Sequence, residues 1–473
     1  MESWEVVVVG AGPAALRAAI ASADGGATTI LIDSAGIGSR QGAPSLAGIA
    51  ASLGEINSIS HREDTIITGG DTTDNVVVAR ICGEAVSIVS ELERWGLVFR
   101  RGEEGLPHMS KTPGHSKPRL TGCGDSTIRE ITRILEEQVI KRKITRKYDN
   151  LAISLVSDNK QIRGLNVLDI LTGEVNSIQA KSIILATEGY EGLWSTPVEG
   201  AGTGAALAAK SDIPLVGMSN FSNHPLIIKG TNIHMPIELL SEGGRIRKAN
   251  GDEAEPFDVN EETCILDLRE LNNDSKIWFS NILSTIKNRT GLNIETDVIP
   301  ISAGIITTGG IPIDQKGRVI FDDGKMWFTG LYAAGRSSNT GMHGEGILSG
   351  NILLEDLFTG QVAGKEASHW ALDQEFANSS LILQEQNKTF NDIKNLHKDT
   401  GKSVGQICSN LMILINNLQD NNNEATINSV SKTLSEIKKN GIKLTDKSKV
   451  MNTELSTALQ IKGLIALLDQ MVK

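Results

Sequence analysis

An α/β fold with an inserted second unit and a helical tail is predicted by three observations. A strand, a glycine turn, a helix, a second strand and an acid follow one another within residues 4–33. Glycine-rich, strand-like text returns from Val298 to Gly364 after a more polar interval at 216–295. From residue 373 the composition turns rich in Asn, Lys and Leu, with helical periodicity.

The opening unit reads Trp4-Glu5-Val6-Val7-Val8-Val9-Gly10-Ala11-Gly12-Pro13-Ala14-Ala15, and Thr29-Ile30-Leu31-Ile32 ends at Asp33. An unbroken valine run suits a strand buried on both faces. Gly10 permits the turn, Gly12 lets a diphosphate approach backbone N–H groups at the helix N-terminus, and Ala15 allows close helix–sheet packing. Asp33 stands where a carboxylate accepts hydrogen bonds from an adenosine ribose. A lone glycine pattern of this type also fits a structural turn. The strand before it, the helix Leu16 to Ala23 and the acid after it together predict a Rossmann dinucleotide unit. Its expected cofactor residues are Gly10, Ala11, Gly12, Pro13, Ala14 and Asp33.

At 473 residues the chain exceeds what one core usually supports, so two or three subdomains are expected. Its 40% hydrophobic and 22% charged residues are those of an ordinary globular protein. The net charge of −11 disfavours nucleic acid or an anionic membrane as the partner. No apolar run approaches the roughly 20 residues that span a bilayer. The first residues hold acids and a strand where a signal peptide needs basic and apolar ones, so a cytoplasmic location is expected. Cys82, Cys123, Cys264 and Cys408 lie far apart, which suits a reducing compartment. They do not form a local four-thiolate motif, so an iron–sulfur cluster would lie on another chain. His61, His108, His115, His234, His369 and His397 lack metal-ligand spacing and read as surface residues.

Val77, Ile81, Ala85, Ile88, Val89 and Leu92 recur at helical spacing and predict a helix from Asp74 to Trp95, stopped by Gly96. A loop, Arg100 to Arg119, leads to a second helix, Thr127 to Val139. Ala152 to Val156, Gly164 to Leu171 and Ser182 to Ala186 read as strands, with Thr172-Gly173 as a turn. Gly200 to Gly204 opens a helix, Ala205 to Lys210. In the tail Ile407, Leu411, Ile413, Leu414 and Leu418 mark a helix, and Asn421-Asn422-Asn423 separates it from the next. The tail's charged face reads as solvated, with a partner-docking surface as the alternative.

The whole pattern resembles the flavoprotein family of succinate dehydrogenases, fumarate reductases and L-aspartate oxidases. The resemblance rests on Gly48-Ile49-Ala50-Ala51-Ser52-Leu53-Gly54, Glu91 to Phe99, Ala186-Thr187 and Asn223-His224-Pro225. It continues in Gly309-Gly310-Ile311, Gly330 to Gly335, His343-Gly344, Ser349-Gly350-Asn351 and Asp446 to Thr453. It implies a glutathione-reductase-like Rossmann FAD-binding domain in two parts, 1–215 and 298–372, an inserted α+β capping domain at 216–297 and a C-terminal helical domain at 373–473. It further implies FAD contacts from Ser39, Gly48, Ala186, Thr187, Gly335, Arg336, Gly350, Asn351, Ile352 and Leu353. His224 and His343 match the family's substrate histidines and are the expected catalytic residues. Phe99 reads as core packing or, second, as a substrate contact, and Arg245, Arg247 or Arg336 could stand in for a missing clamp; Phe99 and Arg245 are the expected substrate residues. The start of the helix at Gly350 would stabilise the anionic reduced flavin.

Departures from the family bear on the substrate. The family's His-Gly-x-Asn-Arg stands here as His343-Gly344-Glu345-Gly346-Ile347, so a carboxylate-clamping arginine is isoleucine. Its His-Tyr before Gly-Gly is Ile305-Ile306, and its Ala-Ala-Gly-Glu ends in Arg336. Only a short stretch separates Gly251-Asp252-Glu253 from Cys264 to Arg269, where the family carries its proton-relay arginine. Isoleucine supplies none of a bidentate, charge-assisted clamp. The stretch Gly36 to Gly54 holds no histidine to tether a flavin, with Gln41 near that position, so FAD is expected to be noncovalent. The expected function is an FAD-dependent oxidoreductase that moves a hydride between a small carboxylic acid and flavin N5. Its implied partner is an iron–sulfur subunit that would hold it peripherally on the membrane. The alternatives are an L-aspartate-oxidase-like enzyme and a non-catalytic flavin-binding assembly subunit.

Overall fold

The computed structural model describes residues 1–35, 47–53, 55–102, 104–194, 200–260, 263–420 and 423–472. Its main sheet follows from the apolar runs. Val6, Val7 and Val8 have no exposed surface, and Ile30, Leu31 and Ile32 are equally enclosed. Glu2–Val9 therefore sits in mid-sheet, parallel to Thr29–Ile32 on one side and to Val175–Leu185 on the other. Thr145–Lys147 continues the sheet beyond Thr29–Ile32. On its other edge Val175–Leu185 serves two partners along its length. Its first half pairs antiparallel with Gln161–Asp169, itself paired with Asn150–Asp158, while Ile183 to Leu185 run parallel to Leu331 to Ala333 of Met326–Ala333. The β-meander is thus grafted onto the parallel sheet through one long strand.

Helices cover both faces. On one lie α1 (Pro13–Asp24), α2 (Glu55–Gly69), α3 (Asn75–Arg94) and α4 (Thr127–Lys141). The short α5 (Thr203–Lys210) lies over the other. Asp74 caps α3 by accepting from the N–H groups of Val76 and Val77, and Val78, Ile81, Ala85, Ile88, Val89 and Leu92 form its buried stripe. Val77, expected in that stripe, is only half-buried.

The inserted unit holds α6 (Asn273–Trp278), α7 (Ser280–Thr290) and an antiparallel sheet. That sheet runs in the order Arg245–Lys248, Cys264–Asp267, Ile299–Thr307 and Phe221–Ile228. Ile299–Thr307 was expected to open the second FAD-binding part at 298. It pairs in the cap instead, which carries the inserted unit through Thr307. The pleat explains this: Ile299 and Ile301 turn into the cap core beside Leu226 and Leu266, while Pro300 between them is exposed.

After the cap comes α8 (Asn351–Leu372), which lies directly on α1. A Cβ on Gly360 would stand 2.4 Å from the Ala14 carbonyl oxygen, and one on Gly364 would stand 2.2 Å from that of Ala18. Both positions need glycine for the helices to touch. The tail folds as α9 (Ser379–Leu396), α10 (Val404–Asp420), α11 (Glu424–Asn440) and α12 (Thr453–Met471). Leu411, Leu414 and Leu418 are buried as expected, but Ile413 is 58% exposed and lies outside the stripe. Asn421 and Asn422, the expected turn, lie outside the described residues.

Candidate cofactor and substrate site

The parallel strands end on one edge. The Gly10 N–H donates to the Ile32 carbonyl at 2.8 Å, that of Ala186 to Val9 at 2.9 Å, and that of Ala334 to Leu185 at 3.0 Å. Gly10, Asp33, Ala186-Thr187 and Gly335 are thereby brought together at the carboxyl ends of the strands, where open parallel sheets bind ligands. Gly10 has φ +124°, and a Cβ there would stand 2.2 Å from the Ala186 oxygen. Gly12 is the opposite case. It starts α1 without a side-chain cap, and a Cβ on it would meet nothing within 4 Å. α8 also starts on an uncapped glycine, Gly350, with φ +83°. Two helix N-termini thus offer backbone donors and positive dipole ends without a side chain in the way. The Gly335 turn joins them: a Cβ there would lie 2.6 Å from Ala14 of α1 and 2.5 Å from Asp356 of α8. This edge fits FAD: α1 would hold the diphosphate and the start of α8 the flavin pyrimidine.

Two adjoining clefts open beside the start of α8. The larger, about 630 Å³ including solvent at its mouth, lies between Gly48, Gly350 and Leu353 on one side and Ser222, Asn223 and His224 of the cap on the other. The smaller, about 350 Å³, holds His343, Thr307, Thr308 and Arg336. Ile347 and Ile352 line both. The two expected catalytic histidines therefore occupy neighbouring clefts on either side of an isoleucine wall. His224 is buried, and its Nε2 donates to the Met235 carbonyl at 2.8 Å. Burial, helped by the neighbouring His234, pushes its pKa down to about 3, so the ring stays neutral. A neutral ring there can orient a ligand or hydrogen-bond to it. His343 Nε2 meets the buried Glu355 carboxylate at 2.9 Å, while its Nδ1 is buried with no partner among the described residues. Glu355 also accepts from Thr340.

Other expected residues are placed differently. Phe99 is 1% exposed in the core shared by α1, α3 and α4 and lines neither cleft; its size and apolarity serve packing. Arg245 is exposed on the edge strand of the cap sheet, bonded to the Gly244 carbonyl. Ile306, rather than Ile305, lines the larger cleft, because the strand's alternation turns it inward. Arg336 leaves the cofactor edge and pairs with Glu191, which also accepts from Thr307. Thr187 is tied to Ser337 and to the N–H of Gly204, so it braces the edge from behind. Ser39 and Gln41 lie outside the described residues.

Sequence reading missed a buried polar network behind α8. His61 and His115, expected at the surface, are 0% and 4% exposed. Asn351 turns its amide to His61 Nε2 at 2.8 Å and to Thr65 at 2.9 Å, leaving only its backbone for a cofactor. His115 Nε2 meets the Ser349 carbonyl at 3.0 Å, and Arg119, fully enclosed, joins His115 to Asp64 and Ser60. Burial lowers the pKa of His61 to about 4 and that of His115 to about 3, so both are neutral donors. Together they fix the residues flanking Gly350.

The cap is fastened to the base at a second point. Arg100 donates to Glu242 at 2.7 Å and 3.2 Å and to Asp274 at 2.6 Å. Burial raises the Glu242 pKa, but bonds from His108, Arg100 and Ser275 outweigh it and hold the group at about 2. A lowered carboxylate pKa adds stability above the unfolded value and loses it as pH falls towards 2. Arg100→Leu should therefore destabilise the cap by about 3 kcal/mol near neutrality, the cost of stranding a buried partner, and by less at pH 3. Calorimetric melting at the two pH values checks this. An equal loss at both would contradict it.

Comparison with known proteins settles the cofactor. The FAD binding domain family matches residues 5–261 and 279–353. This chain belongs to that family. The succinate dehydrogenase flavoprotein subunit of Rickettsia bellii is 25% identical over 98% of this chain and 86% of its own length. The L-aspartate oxidase of Streptomyces coelicolor is 27% identical over 75% of this chain and 66% of its own length. The FrdA chain of E. coli quinol fumarate reductase has the same fold, with a TM-score of 0.87 at 22% identity over 98% of this chain and 88% of FrdA. This member of the family is an FAD-dependent oxidoreductase. Its α/β architecture with cap and helical domain is that of the fumarate reductase flavoprotein. Among the described residues, no helix is long and apolar enough to cross a membrane.

Proposed function

We propose that this flavoprotein oxidises or reduces a CH–CH or CH–NH bond of a small carboxylic acid held between the cap and the start of α8. The observation that carries the reading is the larger cleft, which sets Ser222, Asn223 and His224 against Gly350 to Leu353. When bound, FAD supplies the two-electron chemistry by exchanging a hydride at N5. The neutral His224 ring, fixed by Met235, would orient the substrate. Ile128, Ile237, Ile306 and Ile347 keep water from the reacting carbons. His343, backed by Glu355, has its Nδ1 available to hold or move a proton. Among the described residues no arginine or lysine lines the larger cleft, and Arg336 in the smaller one is paired with Glu191. Without a pair of cationic clamps there, an acid with one carboxylate and an apolar body is favoured over a dicarboxylate. L-Aspartate-oxidase-like chemistry is the second reading, supported by the similarity to those enzymes.

Anaerobic addition of single mono- and dicarboxylic acids and amino acids, followed by the flavin spectrum, tests this. Bleaching by a monocarboxylate is expected. Succinate turnover at ordinary enzyme rates of about 10 s⁻¹ would overturn the substrate assignment. The flavin should be noncovalent, since 36–54 hold no histidine. Acid precipitation should leave a colourless pellet and a yellow supernatant, and a yellow pellet contradicts it. Electron transfer to a separate iron–sulfur subunit is proposed from the similarity to succinate dehydrogenase flavoprotein subunits. Purification from native cells should recover a cysteine-rich second chain, and a homo-oligomer that turns over with O₂ alone speaks for an oxidase.

A further inference from the structure

One turn into α8 lies a buried acid with one carboxylate oxygen that meets no donor among the described residues. Asp356 is 5% exposed, and its Oδ1 finds no hydrogen-bond partner among the described residues. A carboxylate buried in this way is costly unless a donor reaches it. Burial, with the adjacent Glu355, pushes its pKa up to about 7, the behaviour of an anion lacking such a donor.

The surroundings show what Oδ1 faces. It lies against Gly335, at the end of Met326–Ala333, where a Cβ would come within 2.5 Å of it. The same Cβ would be 2.6 Å from Ala14, in the first turn of α1. Asp356 also lines the larger cleft with Gly48, Gly350 and Leu353. Arg336, next to Gly335, is paired with Glu191. The acid therefore stands midway along the edge, between the N-terminus of α1 and that of α8. A cofactor stretched from one to the other passes it with its central portion. In FAD that portion is the ribityl chain, a run of hydroxyl donors.

We propose that Asp356 Oδ1 accepts a hydrogen bond from a ribityl hydroxyl of FAD and is a cofactor-binding residue of this chain. The inference rests on FAD being the cofactor. A hydroxyl donor on a buried carboxylate makes a charge-assisted bond, among the stronger kinds.

The test titrates deflavinated protein with FAD and with ADP, which keeps the diphosphate and adenosine but has no ribityl chain. Asp356→Leu is expected to weaken FAD binding roughly 10- to 100-fold, the range for a hydrogen bond to a charged group, and to leave ADP binding unchanged. Asp356→Asn, which keeps an acceptor oxygen and the same shape, should lose less. Equal losses for FAD and ADP would place the acid at the diphosphate or in the fold and overturn the proposal. FAD binding that is unchanged or tighter in Asp356→Leu also overturns it. If the leucine variant does not fold, the isosteric asparagine variant carries the same comparison. Wild-type protein that binds ADP but no FAD would instead refute the cofactor itself.

Discussion

Gly10→Val should purify without flavin. At φ +124° a side chain is strained whatever the space, and the first atom added would lie 2.2 Å from the Ala186 oxygen. Neither the turn nor the neighbouring strand end can yield without moving the sheet edge. Strain and clash together cost several kcal/mol, enough to weaken binding more than about 100-fold. Flavin absorbance per protein, measured after incubation with excess FAD, checks this, and stoichiometric flavin in the variant would sink it. Gly12→Ala is the informative partner. A Cβ there meets no protein atom within 4 Å, and φ is −77°. The apoprotein should therefore melt as wild type does, while FAD binds more weakly because the methyl enters the space kept for the diphosphate. Together the variants separate a glycine the fold requires from one that the ligand requires.

The second large effect concerns turnover. His224→Ala and His343→Ala should each slow the reaction by roughly 10²-fold or more, the scale of a lost orienting or acid–base group, with the flavin spectrum intact. With a pKa of about 3, His224 is neutral throughout the working range, so its loss should lower the whole pH profile without changing its shape. Loss of His343 should also strand the buried Glu355 carboxylate that its Nε2 meets at 2.9 Å. Unchanged turnover in both variants would refute these roles, whereas no turnover with any acid, in wild-type protein that holds FAD, would point to the assembly-subunit reading.

Sequence alone determined whatever depends on neighbours within a turn or a strand. The valine run and Asp33 specified a mid-sheet strand and the acid at the end of its neighbour, and the glycines between them specified a turn that other residues cannot make. The helical spacing from Ile81 to Leu92 was legible because one face of a helix must be buried as a stripe. The order of the later motifs also marked His224 and His343, which the fold sets in adjoining clefts. Tertiary structure decided everything that rests on distant partners. Strand text at 299–307 fits either sheet, and only pairing with Phe221–Ile228 and Cys264–Asp267 put it in the cap. Phe99 read first as core packing and second as a substrate contact, and only the closure of α1, α3 and α4 over it decided for the core. His61 gave no local sign of burial, because the amide that satisfies it, on Asn351, is 290 residues away. Asp356 was equally silent, since whether its Oδ1 meets a donor among the described residues is a property of the space around it. Short-range sterics and periodicity are written in consecutive residues, whereas burial and hydrogen-bond satisfaction depend on which segments the folded chain brings together.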